Sequence, residues 1–132
     1  MDDMKHRLIN AARKVRDNAY APYSGFKVGA AIVAEDGRIF VGCNVENASY
    51  GLTICAERNA IASLVASGNR IPVSIAIVAK EGVICPPCGA CRQALSEFNP
   101  ELEIIMESQG NGFKVYKLSE ILPLSFSTKD IS

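Results

Sequence analysis

The fold of this chain is indicated most clearly by two stretches, PCGACRQ at residues 87–93 and TICAER at residues 53–58. Each stands at the start of a segment whose pattern predicts a helix. Cys88 and Cys91 are three residues apart, so one helical turn directs both sulfurs to the same side, while Cys55 begins the other helix. Three thiolates from two helix N-termini can bind one tetrahedral metal ion and leave its fourth position open. This arrangement is typical of a catalytic zinc site.

The negative charge of three thiolates must be partly offset if such a site is to activate water. Helix N-termini favour anions and lower thiol pKa values, so both helices contribute. We predict that Arg58 or Arg92 also donates a hydrogen bond to a ligand sulfur. Glu57 follows Cys55 by two residues, where its carboxylate can take a proton from the attacking water and return it to the substrate. The sequence does not show whether Arg58 or Arg92 donates to the sulfur.

Hydrophobic periodicity and turn residues predict the element order α-β-β-α-β-α-β-β-α. We expect Thr53 to be the N-cap of the helix that begins at Cys55, and an Asp-Gly turn at Asp36 to close a β-hairpin. The predicted helices cover residues 3–18, 55–67, 89–98 and 119–122, and the predicted strands cover residues 27–34, 39–45, 73–79, 102–106 and 113–116. A turn is expected at residues 110–112. This order predicts one α/β domain over residues 1–132, with a sheet of about five strands and helices on its faces.

Composition excludes several classes of protein. The chain has 132 residues, of which 48% are hydrophobic and 21% charged, and its 14 basic and 14 acidic side chains give a net charge of zero. This is ordinary globular composition without the excess positive charge of a polyanion-binding protein. No apolar run is long enough to span a membrane, and the first residues do not resemble a secretory signal. We therefore expect a cytoplasmic location, reduced thiols, and cysteines used for metal binding or catalysis.

The cysteine motifs and two further segments together resemble the cytidine deaminase family, in its small homotetrameric zinc-dependent type. The further segments are APYSGFKVGAA at residues 21–31 and NVEN at residues 44–47. The resemblance runs from the first helix to Phe126, and the motifs are specific because they occur together in this order. The chain departs from the family pattern at Cys85 and at Pro86, where the family has an aliphatic and a small polar residue.

The resemblance implies a three-layer α/β/α fold with a mixed sheet of about five strands. It further implies hydrolytic deamination of cytidine and deoxycytidine to uridine and deoxyuridine in pyrimidine salvage, one zinc ion per chain, and a homotetramer with sites near subunit interfaces. Neither nucleic acid nor membrane is an implied partner. By position, it implies zinc ligands at Cys55, Cys88 and Cys91, a proton shuttle at Glu57, ribose contacts at Asn44 and Glu46, substrate contacts at Phe26 and Ala56, and contacts across an interface from Phe126 and Tyr50.

Other interpretations of the same residues stay open at this point. The spacing of Cys85, Cys88 and Cys91, with Cys55 as a fourth ligand, also fits an iron–sulfur site. A deaminase of a cytosine-bearing nucleoside antibiotic such as blasticidin S, or of polynucleotides, would share the catalytic motifs. The NVEN segment favours a nucleoside, and the zero net charge disfavours a polynucleotide. Phe126 could instead cap the hydrophobic core.

Overall fold

The computed structural model describes residues 2–80, 83–110 and 112–128. In chain order its elements are α1 (Asp2–Arg16), β1 (Gly29–Ala34), β2 (Ile39–Cys43), a 3₁₀ turn (Tyr50–Leu52), α2 (Ala56–Ala66), β3 (Pro72–Val78), α3 (Gly89–Ser96), β4 (Glu103–Glu107), β5 (Phe113–Lys117) and α4 (Leu118–Ile121). This is the predicted order of helices and strands. None of the helices in the described part of the chain could span a membrane.

The five strands form one mixed sheet in the order β2-β1-β3-β4-β5. β1 pairs antiparallel with both β2 and β3, and β5 pairs antiparallel with β4. β3 and β4 pair in parallel and are connected through α3, as a parallel crossover requires. The β1–β2 hairpin closes at Gly37, whose φ of 90° is accessible to glycine without strain.

Alternate side chains of β1 enter two separate hydrophobic cores. Ala30 and Ile32 face α2, where Leu64 is fully buried, and this core also receives side chains from α3 and α4. Ala31 and Val33 face α1 on the other side of the sheet. The helices therefore cover both faces, and the predicted three-layer α/β/α architecture is confirmed.

The helix boundaries differ from the prediction in one place that affects the site. Cys55, not Thr53, is the N-cap of α2. The Thr53 hydroxyl instead accepts a hydrogen bond from the backbone N–H of Asn47 at 3.2 Å. The predicted N-cap at Thr53 was therefore wrong, because the Thr53 hydroxyl bonds to the loop at Asn47 and not to the start of α2. Asn111, in the predicted turn at residues 110–112, lies outside the described residues.

Candidate active site

Three cysteine sulfurs converge where the N-termini of α2 and α3 meet. Cys55 is the N-cap of α2, Cys88 is the N-cap of α3, and Cys91 lies in the first turn of α3. Neither N-cap side chain bonds to its own helix, so both sulfurs remain available to another partner. The three Sγ atoms lie within 4.8 Å of one another. The cysteines of the two sequence motifs therefore form one cluster in the structure.

The donor set fits zinc. Zinc–thiolate bonds of about 2.3 Å in tetrahedral geometry place two sulfurs roughly 3.8 Å apart, so a cluster within 4.8 Å needs only a small contraction. Cys91 is fully buried, Cys55 is partly buried and Cys88 is exposed, so that the cluster is open on one side. The three cysteines could therefore hold one zinc ion and leave a position for water or substrate.

The sulfurs strongly perturb each other's protonation. The hydrogen bond from Cys91 lowers the pKa of Cys55 to about 5, and Arg58 acts in the same direction. The same contact and burial raise the pKa of Cys91. Of these two thiols, Cys55 therefore ionises first, because it has both a sulfur donor and a cation beside it.

Arg58, rather than Arg92, reaches a cysteine sulfur. Its Nη2 lies 4.0 Å from the Sγ of Cys55 and donates to the Thr53 carbonyl at 3.2 Å. Its Nε is buried without a hydrogen-bond partner among the described residues. The nearby Cys55 raises the pKa of Arg58, which keeps this cation charged. Arg92 donates instead to two backbone carbonyl oxygens, of Pro87 and of Ile121.

Glu57 lies beside this cluster in the first turn of α2 and is 5% exposed. Burial raises its pKa, and the charge on Cys55 adds to this effect. A hydrogen bond with the Cys91 side chain acts in the opposite direction. A carboxyl group whose pKa is raised towards neutrality is suited both to accept and to donate a proton. Proton transfer by Glu57 remains a prediction.

Asn44 is buried and organises the backbone that leads to Phe26. Its Oδ1 accepts from the N–H of Val28 at 2.9 Å, and its Nδ2 donates to the carbonyl of Phe26 at 2.9 Å. One amide hydrogen of Asn44 remains for another acceptor. The Phe26 ring is 41% exposed. This side chain is therefore accessible to a ligand rather than part of the core.

Glu46 is held by the loop in front of Phe26. Its Oε1 accepts from the backbone N–H groups of Tyr23 and Ser24 at 3.0 and 3.1 Å, and its Oε2 accepts from the Ser24 hydroxyl. The Ser24 hydrogen bond is the main cause that lowers the pKa of Glu46. The sequence predicts no individual role for Ser24, because a serine in a turn has no pattern that reveals a distant partner.

A pocket of about 320 Å³ opens beside Glu46. Its described lining consists of Tyr23, Ser24, Glu46, Tyr50 and Thr53. The rings of Tyr23 and Tyr50 meet edge to face at 6.3 Å. Polar groups therefore line a concavity on the same loops that carry the predicted ribose contacts.

Cys85 does not belong to the sulfur cluster. The one group of three or more potential metal ligands found in the described part of the chain contains Cys55, Cys88 and Cys91. Cys85 instead packs against the hydrophobic core, where burial raises its pKa to about 11. The structure therefore favours zinc over an iron–sulfur site that needs Cys85.

Ala56 and Phe126 occupy contrasting positions. Ala56, between Cys55 and Glu57, is 1% exposed, and its side chain belongs to the hydrophobic core beneath α2. Phe126 is 58% exposed in the segment after α4 and does not cap the core. Its carbonyl accepts a hydrogen bond from Gln93 at 2.9 Å.

Comparison with known proteins decides the family. The family model described as "Cytidine and deoxycytidylate deaminase zinc-binding region" matches residues 2–107. The chain belongs to the cytidine deaminase family. A relative named cytidine deaminase from Halalkalibacterium halodurans is 42% identical over 129 residues, covering 97% of this chain and 98% of the relative. One from Sporosarcina psychrophila is 42% identical over 127 residues, covering 96% and 93%.

Solved cytidine deaminases have the same fold. The crystal structure of cytidine deaminase from Burkholderia pseudomallei superposes with a TM-score of 0.87 at 48% identity, covering 92% of this chain and 98% of that one. The cytidine deaminase of Mycobacterium tuberculosis superposes with a TM-score of 0.83 at 40% identity, covering 92% and 95%. The predicted family and fold are thus confirmed, and the three-cysteine cluster lies within the region that the zinc-binding family model matches.

Proposed function

We propose that this chain is a zinc-dependent hydrolase that deaminates cytidine and deoxycytidine to uridine and deoxyuridine, with release of ammonia, in pyrimidine salvage. The observation that carries the proposal is the placement of buried Glu57 beside three converging sulfurs, in a chain of the cytidine deaminase family. Cys55, Cys88 and Cys91 would hold one zinc ion. When bound, zinc supplies Lewis-acid activation of the water that attacks the substrate.

Glu57 is the proton carrier in this proposal. Its carboxylate takes a proton from the attacking water as oxygen bonds to C4 of cytosine, and delivers that proton to N3 of the ring. A second proton leaves the same oxygen through Glu57 and reaches the amino group, which departs as ammonia when the C4–N bond breaks. Burial suits this role because it raises the pKa of Glu57. This brings its proton affinity closer to that of the groups with which it exchanges protons.

Asn44 and Glu46 are proposed to bind the sugar. Asn44 offers its remaining amide hydrogen as a donor, and Glu46 offers lone pairs that its hydrogen bonds with the loop do not use. The half-exposed ring of Phe26 would pack against the pyrimidine, and the buried backbone at Ala56 would border the base. The pyrimidine would then lie between the sugar-binding loops and the sulfur cluster.

A neutral nucleoside fits the charge of the pocket better than a nucleotide does. Among the described residues that line the 320 Å³ pocket, Glu46 is acidic and none is basic. A phosphate placed there would meet a carboxylate whose low pKa keeps it charged. The net charge of zero agrees with a small neutral substrate rather than a polynucleotide.

We further propose a cytoplasmic homotetramer built from a single catalytic domain over residues 1–132. Exposed apolar side chains support association, since large exposed apolar groups mark interaction surfaces. Tyr50 is 77% exposed, Leu52 is 64% exposed and Phe126 is 58% exposed. In the tetramer Tyr50 and Phe126 would contact a neighbouring subunit near its site. Light scattering coupled to size-exclusion chromatography measures the molar mass in solution. A monomer at micromolar concentration would contradict the proposed homotetramer.

A substrate panel tests the proposed reaction. Ultraviolet absorbance should show conversion of cytidine and deoxycytidine, while cytidine monophosphate and blasticidin S should react at least about tenfold more slowly. Metal analysis should give about one zinc per chain in a colourless protein. A zinc protein that leaves cytidine unchanged, or prefers cytidine monophosphate, would contradict the proposed substrate. A coloured iron protein would contradict the proposed metal.

A further inference from the structure

Two neighbouring side chains of α3 hold the last residue of α4 and the segment that follows it. Arg92 donates from Nη1 to the carbonyl of Ile121 at 2.6 Å, and Gln93 donates from Nε2 to the carbonyl of Phe126 at 2.9 Å. We name residues 121–126 the tail. Its two ends are thereby hydrogen-bonded to the helix that carries Cys91.

Arg92 also holds the loop that leads to the sulfur cluster. Its Nε donates to the carbonyl of Pro87 at 2.8 Å, and Pro87 directly precedes Cys88. One partly buried guanidinium therefore joins the tail to the backbone beside a cysteine of the cluster. A planar guanidinium can donate to both carbonyl oxygens at once, because its N–H groups point in fixed, divergent directions.

Ile121 and Leu122, at the start of the tail, pack against the hydrophobic core, whereas the tail from Pro123 to Phe126 is mostly exposed. A groove of about 500 Å³ runs along it and is lined by residues that include Ser96, Leu122 and Leu124. The side chain of Leu124 is fully exposed, and its φ of 54° is unfavourable for a residue that is not glycine. A segment that is strained and loosely packed needs specific hydrogen bonds to remain ordered.

We propose that Arg92 and Gln93 are positioning residues that make the tail a supporting part of the metal centre. The tail keeps Arg92 in the orientation in which it holds Pro87, and through Pro87 it fixes the backbone of Cys88. Because linked equilibria act in both directions, an ordered tail slows the loss of zinc, and bound zinc keeps the tail ordered. The inference depends on the zinc site of the proposed function but not on the substrate.

The test uses Gln93→Met in the zinc-loaded protein. Methionine matches glutamine in length, removes the donor to the Phe126 carbonyl and adds no charge near the sulfurs. The exposed Gln109 allows the same substitution away from the tail, so Gln109→Met is the matched control. Two quantities are measured: the rate of zinc transfer to an excess of a coloured chelator, and hydrogen exchange of the peptide over the tail, followed by mass spectrometry.

Loss of one hydrogen bond should accelerate both zinc release and tail exchange by about threefold to tenfold in Gln93→Met. Gln109→Met should behave as the wild type. Arg92→Met should release zinc at least about tenfold faster, and Arg92→Lys should lie between it and the wild type, because lysine can reach only one of the two carbonyls.

Faster tail exchange in Gln93→Met with a wild-type rate of zinc release would overturn the inference, and so would equal effects in Gln93→Met and Gln109→Met. The zinc content and cytidine turnover of the untreated wild type test the proposed function separately. If the wild type contains zinc and converts cytidine, but Gln93→Met and the wild type transfer zinc to the chelator at the same rate, only the inference about the tail fails. A wild-type protein without zinc would overturn both.

Discussion

A methyl group added at Gly42 should displace the helix that carries Glu57. Gly42 is buried in β2, directly under α2. A Cβ at this position would lie 2.4 Å from the nitrogen of Ala60 and 2.6 Å from the oxygen of Ala56, against 3.4–4 Å for an ordinary contact. Both atoms belong to the backbone of α2, so no side chain can rotate away. The helix must therefore move by about 1 Å, and Cys55 at its N-cap and Glu57 in its first turn must move with it.

Two consequences follow for Gly42→Ala. Overpacking costs about 1–3 kcal/mol, while the reduced freedom of the unfolded chain returns about 0.4–1 kcal/mol. The net loss of roughly 1–2 kcal/mol should lower the melting temperature by about 4–7 °C. A misplacement of about 1 Å in a catalytic group can reduce the rate by roughly a hundredfold, so kcat/KM for cytidine should fall by about that factor.

Gly51→Ala is the matched control because a Cβ there meets no atom within 4 Å. It should melt at or above the wild-type temperature. Calorimetry, zinc analysis and the ultraviolet assay on both variants measure the difference. A Gly42→Ala protein with wild-type stability and activity would show that α2 does not rest on Gly42 as described, and so would an equal loss in both variants.

Three further changes test other parts of the site. Arg58→Gln removes a cation that helps to lower the pKa of Cys55. Because the thiolate is the ligand, the pH below which a chelator strips zinc should rise, and an unchanged pH profile would count against this role. Cys85→Ala should leave zinc content at about one per chain and cost about 1–3 kcal/mol of stability, and loss of the metal would reopen the iron–sulfur interpretation. Ser24→Ala removes the hydroxyl that holds Glu46, so KM for cytidine should rise about threefold to tenfold with kcat little changed, and a fall confined to kcat would be inconsistent with a binding role.

The sequence predicted well those features that depend on residues close together in the chain. The order of helices and strands follows from local hydrophobic periodicity, and the pairing of β1 with β2 follows from the Asp36-Gly37 turn. The convergence of three cysteines could also be predicted, because thiolates placed at the starts of two helices, two of them one turn apart, match the ligand pattern of a tetrahedral metal site.

Features that depend on packing between distant segments could not be predicted. Nothing in the sequence shows that Arg58 lies beside a sulfur while Arg92 binds carbonyl oxygens, because both arginines follow a cysteine motif. Ser24 and Glu46, which form a hydrogen bond, are 22 positions apart in the sequence. The need for glycine at position 42 arises only when a helix lies on that strand.

Glu57→Gln provides the most direct test of the central claim that Glu57 transfers protons beside a zinc ion held by three cysteines. Glutamine keeps the shape of the side chain but cannot take up the proton. Cytidine turnover should therefore fall by about 10²–10⁴-fold while zinc stays at about one per chain, and the exposed-turn variant Glu35→Gln should keep wild-type activity. A zinc-loaded Glu57→Gln protein that deaminates cytidine within tenfold of the wild-type rate would contradict a proton-transfer role for Glu57.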